Sequence, residues 1–362
     1  MAIAIAVGGT YWPSIAVAPN ALSFVLLLAI LYLLHSLITT RIRSGSWLPR
    51  RLSAHEWAQQ LVVVTGAAGG VGAELILLLV RKGARVAALD IKPLSAEVHD
   101  RLAAEGLSAS VLQVQCDVSS LEAVRQAADA VHAHWRDHQV TMLVNNAGVA
   151  TPPQQARYLG EAAATQQEED NSALLVERTI RVNLLSHLWT LRTFLPEILE
   201  GDRGHIVTVS SLMAHIGVPG LGDYVASKWG LVGLHETLCR EIATRSSSSP
   251  SPGTRSSPNR QHATRTQTTL VLPAHISTPL FPHWSYPPFL APLFPTVSAE
   301  HAAGRIVEAM GSGRSSYVYM PRTTWLVGFM GALPEWMREG AQWASGADVS
   351  VANMAAKAAK AA

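Results

Sequence analysis

Residues 61–72 read LVVVTGAAGGVG, and this stretch decides how the chain folds. Leu61 to Val64 is a continuous apolar run of strand length, typical of a strand buried on both faces of a parallel sheet. The glycines that follow allow a tight turn, let the backbone approach a pyrophosphate, and let the next helix pack closely on the strand. We therefore predict a dinucleotide-binding turn formed by Gly66, Gly70, Val71 and Gly72, with an ordinary strand-to-helix turn as the alternative.

Strands and helices alternate along the chain from residue 60 onward. Apolar runs predict strands at 61–64, 85–89, 111–116, 139–144, 204–209 and 268–272. Helical spacing predicts helices at 70–81, 94–105, 119–138 and 179–199 and from about residue 224. This alternation predicts an α/β fold whose parallel sheet is covered by helices on both faces.

Polar residues at the carboxyl ends of these strands complete the predicted cofactor site. Asp90 ends the second strand about 20 residues after the glycine turn, where a carboxylate accepts hydrogen bonds from ribose hydroxyls and repels a 2′-phosphate. This favours NAD over NADP, although Lys92 lies nearby. Asp117 and Val118 follow the third strand, where adenine would rest, and Asn145 ends the fourth strand at the same edge.

A tyrosine and a lysine four residues apart stand near the start of the predicted helix after the fifth strand. Tyr224 and Lys228 share one helical face, and a nearby ammonium favours the phenolate, so we expect the pKa of Tyr224 to be lowered. A tyrosine tuned in this way can exchange a proton with an alcohol or carbonyl oxygen. Ser211, at the end of the fifth strand, is placed to hydrogen-bond the same oxygen.

The composition limits the class of protein. Charged residues make up 15% of the 362 residues, against a usual share of about 25%, and the net charge is +2. With no basic stripe interleaved with aromatics, nucleic acid is not expected as a partner. No metal is expected either, because the helical pair His134 and His138 lacks a third ligand nearby.

Residues 21–39 are almost wholly apolar, long enough as a helix to cross a hydrocarbon core of about 30 Å. Arginines follow this stretch at 41, 43, 50 and 51, while no charged side chain precedes it. This asymmetry predicts an N-terminal membrane-anchor helix with the rest of the chain in the cytosol. A shallow insertion into the membrane interface and a buried core helix are the alternatives.

We divide the chain into an N-terminal anchor and basic linker at 1–55, a catalytic domain at 56–322 and an apolar C-terminal extension at 323–362. Two segments interrupt the domain as predicted surface insertions, near 151–172 and 246–267, the second rich in Ser, Pro and Arg. The uncharged, aromatic and proline-rich residues 279–290 follow the sixth strand. A lid of that composition suits a lipophilic substrate.

These motifs together resemble the short-chain dehydrogenase/reductase family: Thr-Gly-x-x-x-Gly-x-Gly, Asn-Asn-Ala-Gly, and Tyr-x-x-x-Lys with a serine thirteen residues before it. The resemblance covers roughly residues 60–278 and implies a Rossmann-like doubly wound sheet of about seven parallel strands. It implies a catalytic tetrad of Asn183, Ser211, Tyr224 and Lys228, in which Tyr224 is the acid/base, Lys228 holds the nicotinamide ribose and Asn183 seats a water. It also implies that Ile276 and Thr278 contact the nicotinamide, after a Pro273-Ala274 pair where the family has Pro-Gly.

Residues 298–343 resemble the C-terminal part of the membrane-bound retinol dehydrogenase and 17β-hydroxysteroid dehydrogenase-like subgroup. This resemblance implies a location on the endoplasmic reticulum or lipid droplets and a homo-oligomer. The sequence thus predicts a membrane-associated NAD(P)-dependent oxidoreductase that interconverts an alcohol and a carbonyl on a retinoid, steroid or lipid-like substrate. The alternatives are a non-catalytic NAD(P)-binding protein on a lipid surface and an NADPH-linked reductase of a keto-lipid.

Overall fold

The structure is a computed structural model that describes residues 50–151, 166–201, 203–247, 266–281 and 294–346, with Tyr286, Ala291 and single positions between 23 and 41. It divides the chain into two units, Met1–Leu48 and Pro49–Ala362. In the first unit the described positions are helical and exposed. Most of the predicted span at 21–39 lies outside the described residues, and none of the described helices has both the length and the apolar character needed to cross a membrane.

Seven parallel strands form the sheet of the second unit. They are β1 Leu61–Thr65, β2 Arg85–Asp90, β3 Val111–Gln115, β4 Met142–Asn145, β5 His205–Val209, β6 Gln267–Pro273 and β9 Ser316–Met320; a separate pair consists of β7 Ile276–Ser277 and β8 Val297–Ser298. Their order in the sheet is β3-β2-β1-β4-β5-β6-β9. Val62 of β1 is in register with Val86 on one side and Met142 on the other, so the strand order reverses beside β1. In open α/β sheets the ligand site lies at that reversal, at the carboxyl ends of the strands.

Helices cover both faces of the sheet, so the predicted Rossmann-like doubly wound architecture is confirmed. They are α1 Ala54–Trp57, α2 Gly70–Arg81, α3 Ala96–Ala104, α4 Leu121–His134, α5 Gln166–Ile180, α6 Ser186–Glu200, α7 Gly222–Ser247, α8 Ala299–Gly311 and α9 Glu335–Ser345. A π-helical turn, Arg181–Leu185, joins α5 to α6, and 3₁₀ turns lie at Ser108–Ser110, Leu212–Ala214 and Arg322–Ala332.

The alternation of side chains along each buried strand sends neighbours into two separate cores. On one face Val62 and Val64 pack against α2, α3 and α8. On the other face Leu61 and Val63 pack against α4, α6 and α7. Because both faces of the strands are covered, apolar residues run through β1 without a polar interruption until Thr65, where the strand reaches the ligand edge.

The structure differs from the predicted segment boundaries in three places. The second unit begins at Pro49, and the backbone N–H of Leu52 donates to Gly311 O at 2.9 Å, so the end of the predicted linker packs on the catalytic domain. Helix α5 begins at Gln166, so the last part of the predicted insertion at 151–172 is helical. Thr324 and Met330 are buried, which makes part of the predicted extension integral to the fold. Residues 152–165, 248–265 and 347–362 lie outside the described chain.

Candidate active site

Two adjoining cavities lie at the carboxyl edge of the sheet, where the strand order reverses. The larger has a volume of about 530 Å³ and runs from the glycine turn to the segment after β6. The smaller, about 240 Å³, is lined by Asp117 and Val118 after β3 and by residues after β4. Gly66, Asp90 and Gly148 border both cavities, so one extended ligand can occupy the two together.

The glycine turn has no room for side chains at two of its positions. Gly66 has a φ of +64°, and a Cβ there would lie 2.7 Å from the Cα of Ala147. At Gly72 a Cβ would lie 2.0 Å from the carbonyl oxygen of Gly66. The first turn of α2 is therefore held directly against the end of β1. Its N-terminus faces the larger cavity at Gly70 and Val71, and such a terminus attracts a phosphate.

An asparagine and a threonine fix the path of this turn. The side-chain amide of Asn146 donates to the carbonyl oxygens of Thr65 and Gly66, both at 3.0 Å. The Thr65 hydroxyl oxygen accepts the backbone N–H groups of Asn146 and Ala147 at 3.0 and 3.1 Å. Neither role is predicted from the sequence, where Asn145 was the candidate rather than the next residue, Asn146.

The structure does not bring the side chain of Asn145 into either cavity. Asn145 is buried, and its Oδ1 accepts a hydrogen bond from Thr190 Oγ1 of α6 at 2.8 Å. Consecutive side chains near the end of a strand point in opposite directions. Asn146, which lines the larger cavity, therefore occupies the place predicted for Asn145.

Asp90 lies where a ribose hydroxyl is expected. Its carboxylate accepts the backbone N–H of Ala68 in the glycine turn and that of Lys92, each at 2.9 Å. These bonds fix the carboxylate where the two cavities meet. Ile276 and Thr278 line the larger cavity beside the glycine turn: a Cβ on Gly70 would lie 3.2 Å from Thr278 Cγ2.

Ser211, Tyr224 and Lys228 come together in the larger cavity, as the sequence predicted. All three are buried, and Ser211 lies close enough to the Tyr224 hydroxyl to act on its pKa. The Lys228 ammonium donates to Val209 O at 3.1 Å and lies 5.6 Å from the centroid of the Tyr224 ring. The end of β5 and the first turns of α7 thus present a hydroxyl pair with a cation beside it.

The expectation of a lowered pKa for Tyr224 is wrong for the protein as the structure describes it. Burial raises the pKa of Tyr224 to about 12, and the hydrogen bond from Ser211 opposes this only in part. Burial also lowers the pKa of Lys228 to about 8. The desolvation of both charged forms outweighs the attraction between them, which spacing on a helix cannot reveal.

Asn183 lies behind this group in the π-helical turn between α5 and α6, completely buried. Its amide donates to Val149 O and accepts the Val149 N–H, both at 2.8 Å, and also donates to Ser227 Oγ at 3.1 Å. Asn183 lines neither cavity in the described part of the chain. Its side chain instead holds the segment after β4 against α7.

The part of the larger cavity beyond Tyr224 is apolar. Phe281 lies edge-on to the Tyr224 ring at 5.1 Å between centroids, and Tyr286 and Phe294 lie 5.4 Å apart on the same wall. Ile216 and Val218 line the wall after β5. Four residues of the predicted lid line this cavity: Pro279, Leu280, Phe281 and Tyr286. The other lid residues, 282–285 and 287–290, lie outside the described chain.

The residues fit a nicotinamide dinucleotide. The glycine turn brings backbone N–H groups to the cavity, Asp90 lies where the two cavities meet, and a buried tyrosine lines the larger one. Among the described residues no cluster of three metal-ligating side chains occurs. The fold and site thus define a protein of the dinucleotide-dependent oxidoreductase class.

Comparison with known proteins gives the family. The profile of the family described as short chain dehydrogenase matches residues 60–267, and the chain belongs to this family. It is 31% identical over 273 residues to epidermal retinol dehydrogenase 2 of Homo sapiens, covering 75% of this chain and 77% of that one. Retinol dehydrogenase 10-B of Danio rerio is 30% identical with the same coverage. Estradiol 17-beta-dehydrogenase 11 of Homo sapiens is 34% identical over 219 residues, 60% of this chain and 67% of that one.

The predicted likeness to the retinol and 17β-hydroxysteroid dehydrogenase-like subgroup is thereby confirmed, and the chain is an NAD(P)-dependent dehydrogenase/reductase acting on CH–OH groups. A solved structure of a short chain dehydrogenase from Burkholderia cenocepacia, in complex with NADP, has the same fold. Its TM-score is 0.57 at 23% identity, covering 79% of this chain and 98% of that one.

Proposed function

We propose that this protein is a membrane-associated enzyme that interconverts an alcohol and its carbonyl on a lipophilic substrate such as a retinoid, a steroid or a long-chain lipid. The observation that carries the proposal is the apolar wall of the larger cavity directly beside Tyr224, formed by Phe281, Tyr286 and Phe294. A hydroxyl or carbonyl on an apolar body would place its oxygen at Ser211 and Tyr224 and its body against these rings. The names of the relatives support the same substrate class.

We assign the proton transfer to Tyr224. With a pKa of about 12, the Tyr224 phenol is protonated at neutral pH and donates to a carbonyl oxygen when the enzyme reduces its substrate. When the enzyme oxidises an alcohol, the Tyr224 phenol must first release its own proton to solvent, and the phenolate oxygen then accepts the hydroxyl proton. The Ser211 hydroxyl holds the substrate oxygen, and a bound nicotinamide would provide the hydride chemistry.

Lys228 and Asn183 support the tyrosine from the buried side. The Lys228 ammonium, 5.6 Å from the ring centroid, stabilises negative charge on the phenolate and is placed to hold the ribose of the cofactor. Asn183 keeps the segment after β4 in place through Val149 and, through Ser227, fixes the turn of α7 that carries Tyr224 and Lys228. The buried Asn183 amide therefore holds both the segment after β4, which lines the cavities, and the turn of α7 that carries Tyr224.

We propose NAD as the preferred cofactor. The carboxylate of Asp90 lies at the junction of the two cavities, and its negative charge opposes a 2′-phosphate. An NADPH-linked reductase of a keto-lipid is the second candidate, because burial keeps Tyr224 in the proton-donating form. Family membership argues against the non-catalytic alternative.

We propose that residues 21–39 attach the enzyme to the endoplasmic reticulum or lipid droplets, with the catalytic domain in the cytosol and a homo-oligomer as the working form. The apolar composition of this stretch supports attachment. In the second unit Trp325, Phe329, Trp336 and Trp343 are exposed, and Trp is enriched where proteins meet the membrane interface.

The test is a turnover assay on the detergent-solubilised full chain, with NAD(H) and NADP(H), against retinoid, steroid and long-chain keto substrates. Tyr224→Phe should reduce kcat by at least about a hundredfold while NADH binding stays within a few-fold. Tyr317→Phe is the matched control, because this tyrosine packs on His235 and lines neither cavity. Retained turnover in Tyr224→Phe, or no turnover of any substrate by the wild type, would refute the proposal.

A further inference from the structure

Arg178 borders both cavities and takes no part in the chemistry assigned above. It lies near the end of α5, lines the same cavities as the glycine turn, and its side chain is exposed. In the part of the chain that the structure describes, the guanidinium of Arg178 has no ion pair or hydrogen bond. Its neighbour Arg181 is different, because that guanidinium pairs with Glu177 at 2.7 Å.

The charged side chains where the two cavities meet indicate which group there can bind an anion. Of the described residues shared by the two cavities, Arg178 is the cationic one and Asp90 the anionic one. Both oxygens of Asp90 already accept backbone N–H groups. The glycine turn offers backbone N–H groups and a helix N-terminus but no Lys or Arg side chain between residues 65 and 72.

The backbone that carries Arg178 is held firmly. The next residue, Thr179, is buried, and its hydroxyl lies 2.8 Å from the Thr151 hydroxyl in the segment after β4. Thr151 in turn donates to the carboxylate of Asp223 in the first turn of α7 at 2.6 Å. The end of α5 is therefore tied to the two segments that build the site, which sets where the Arg178 side chain begins.

We propose that Arg178 binds the pyrophosphate of the dinucleotide together with the glycine turn. This inference rests on the proposed cofactor site. A ligand that fills both cavities passes Asp90, the proposed ribose contact, and Arg178 where the cavities meet. In a dinucleotide the doubly charged pyrophosphate is bonded directly to that ribose, so it lies next to this junction. A planar guanidinium forms paired hydrogen bonds with phosphate oxygens, and the glycine turn binds the same group.

The experiment measures dissociation constants of the full-length, detergent-solubilised protein by NADH and NADPH fluorescence and by competition with ADP-ribose and adenosine. Arg178→Ala should weaken NADH, NADPH and ADP-ribose alike, by on the order of tenfold to a hundredfold, and leave adenosine unchanged. Arg178→Lys should lose less, because it keeps the charge. Arg181→Ala is the matched control and should bind as the wild type does.

Four results would overturn the inference. An unchanged dissociation constant for NADH in Arg178→Ala, with wild-type binding intact, would remove Arg178 from the site while leaving the proposed function standing. A loss for NADPH alone would move the contact to the 2′-phosphate, and an equal loss for adenosine would move it to the nucleoside. If the wild type bound neither NADH nor NADPH, the proposed function would fail and this inference with it. Equal melting temperatures for all variants would show that folding is unaffected, as expected for exposed side chains.

Discussion

The amide of Asn183 satisfies both backbone groups of Val149, donating to its carbonyl oxygen and accepting its N–H, each at 2.8 Å. Asn183 reaches Val149 from the π-helical turn Arg181–Leu185, and such turns occur often at functional sites. Val149 lies just after β4, in the wall of both cavities. One side chain in a helix thus determines the path of the loop that a cofactor must contact.

Replacing Asn183 by Ala should therefore damage the wall of the cavity as well as the fold. The variant removes the partners of the partly buried N–H and C=O of Val149, at up to about 1–3 kcal/mol for each group. We expect a lower melting temperature and NADH binding weakened by about tenfold or more. Asn183→Asp keeps an acceptor for the Val149 N–H and should lose less stability at the pH where its carboxylate is protonated. Wild-type affinity for NADH in Asn183→Ala would contradict the assigned role.

Much of the fold could be predicted because the signals are local. Helix α2 was predicted at its observed bounds, 70–81, since an apolar face ends at a basic residue and a glycine. Buried strands appear in the sequence as short apolar runs between turns. The predicted bounds of β1, β2 and β5 therefore agree with the observed ones to within one residue. The edge strand Ser316–Met320 is not predicted from the sequence, because three of its five side chains are only partly buried and the run carries two tyrosines.

The candidate site was less predictable because its decisive features depend on contacts far apart in sequence. The π-helical turn carries Asn183, whose hydrogen-bond partner Val149 is 34 residues away in the sequence. The pKa of Tyr224 depends on how completely the surrounding loops exclude water, so helical spacing to Lys228 predicted its direction wrongly. The spacing still identified which side chains meet.

Gly72→Ala should disrupt the glycine turn. The added methyl would lie 2.0 Å from Gly66 O, a backbone atom that moves only with the end of β1. Overpacking of this kind costs about 1–3 kcal/mol or more, so we expect a lower melting temperature together with lost NADH binding. The control is Gly304→Ala in α8, where nothing lies within 4 Å of the added Cβ. That change should leave stability equal or raise it.

Asp90→Asn should shift the preference between the two cofactors. The amide keeps an oxygen that can accept the Ala68 N–H but removes the charge that opposes a 2′-phosphate. We expect the ratio of the dissociation constants for NADPH and NADH to fall by about tenfold, which corresponds to roughly 1.4 kcal/mol. Asp117→Asn is the matched control and should leave this ratio unchanged. Its carboxylate accepts the Ser119 N–H at 2.9 Å and lines the smaller cavity but not the larger one. A ratio unchanged in Asp90→Asn would mean that the carboxylate does not select the cofactor.

The buried Lys228 should make the free protein more stable as the pH rises above about 8. Its pKa is lowered to about 8 in the folded chain from its ordinary value of 10.5, so between these values the unfolded chain binds more protons. Stability then increases with pH in this window, by about 2 kcal/mol at pH 9.5, and below about pH 8 the full penalty of burying the charge is present. Tyr224, whose pKa is raised to about 12, acts with the opposite sign only above pH 10.

Urea unfolding at several pH values from about 7 to 9.5 measures this dependence in the wild type and in Lys228→Met. The methionine keeps most of the apolar stem and has no proton to lose, so the difference in unfolding free energy between the two proteins should shrink as the pH rises. Because the wild type bears the cost of a buried charge at pH 7, Lys228→Met should be the more stable protein there. If the unfolding free energies of the two proteins changed in parallel with pH, the prediction would be wrong. Lys228 would then keep its charge in the folded protein without cost, through water or through its hydrogen bond to Val209 O.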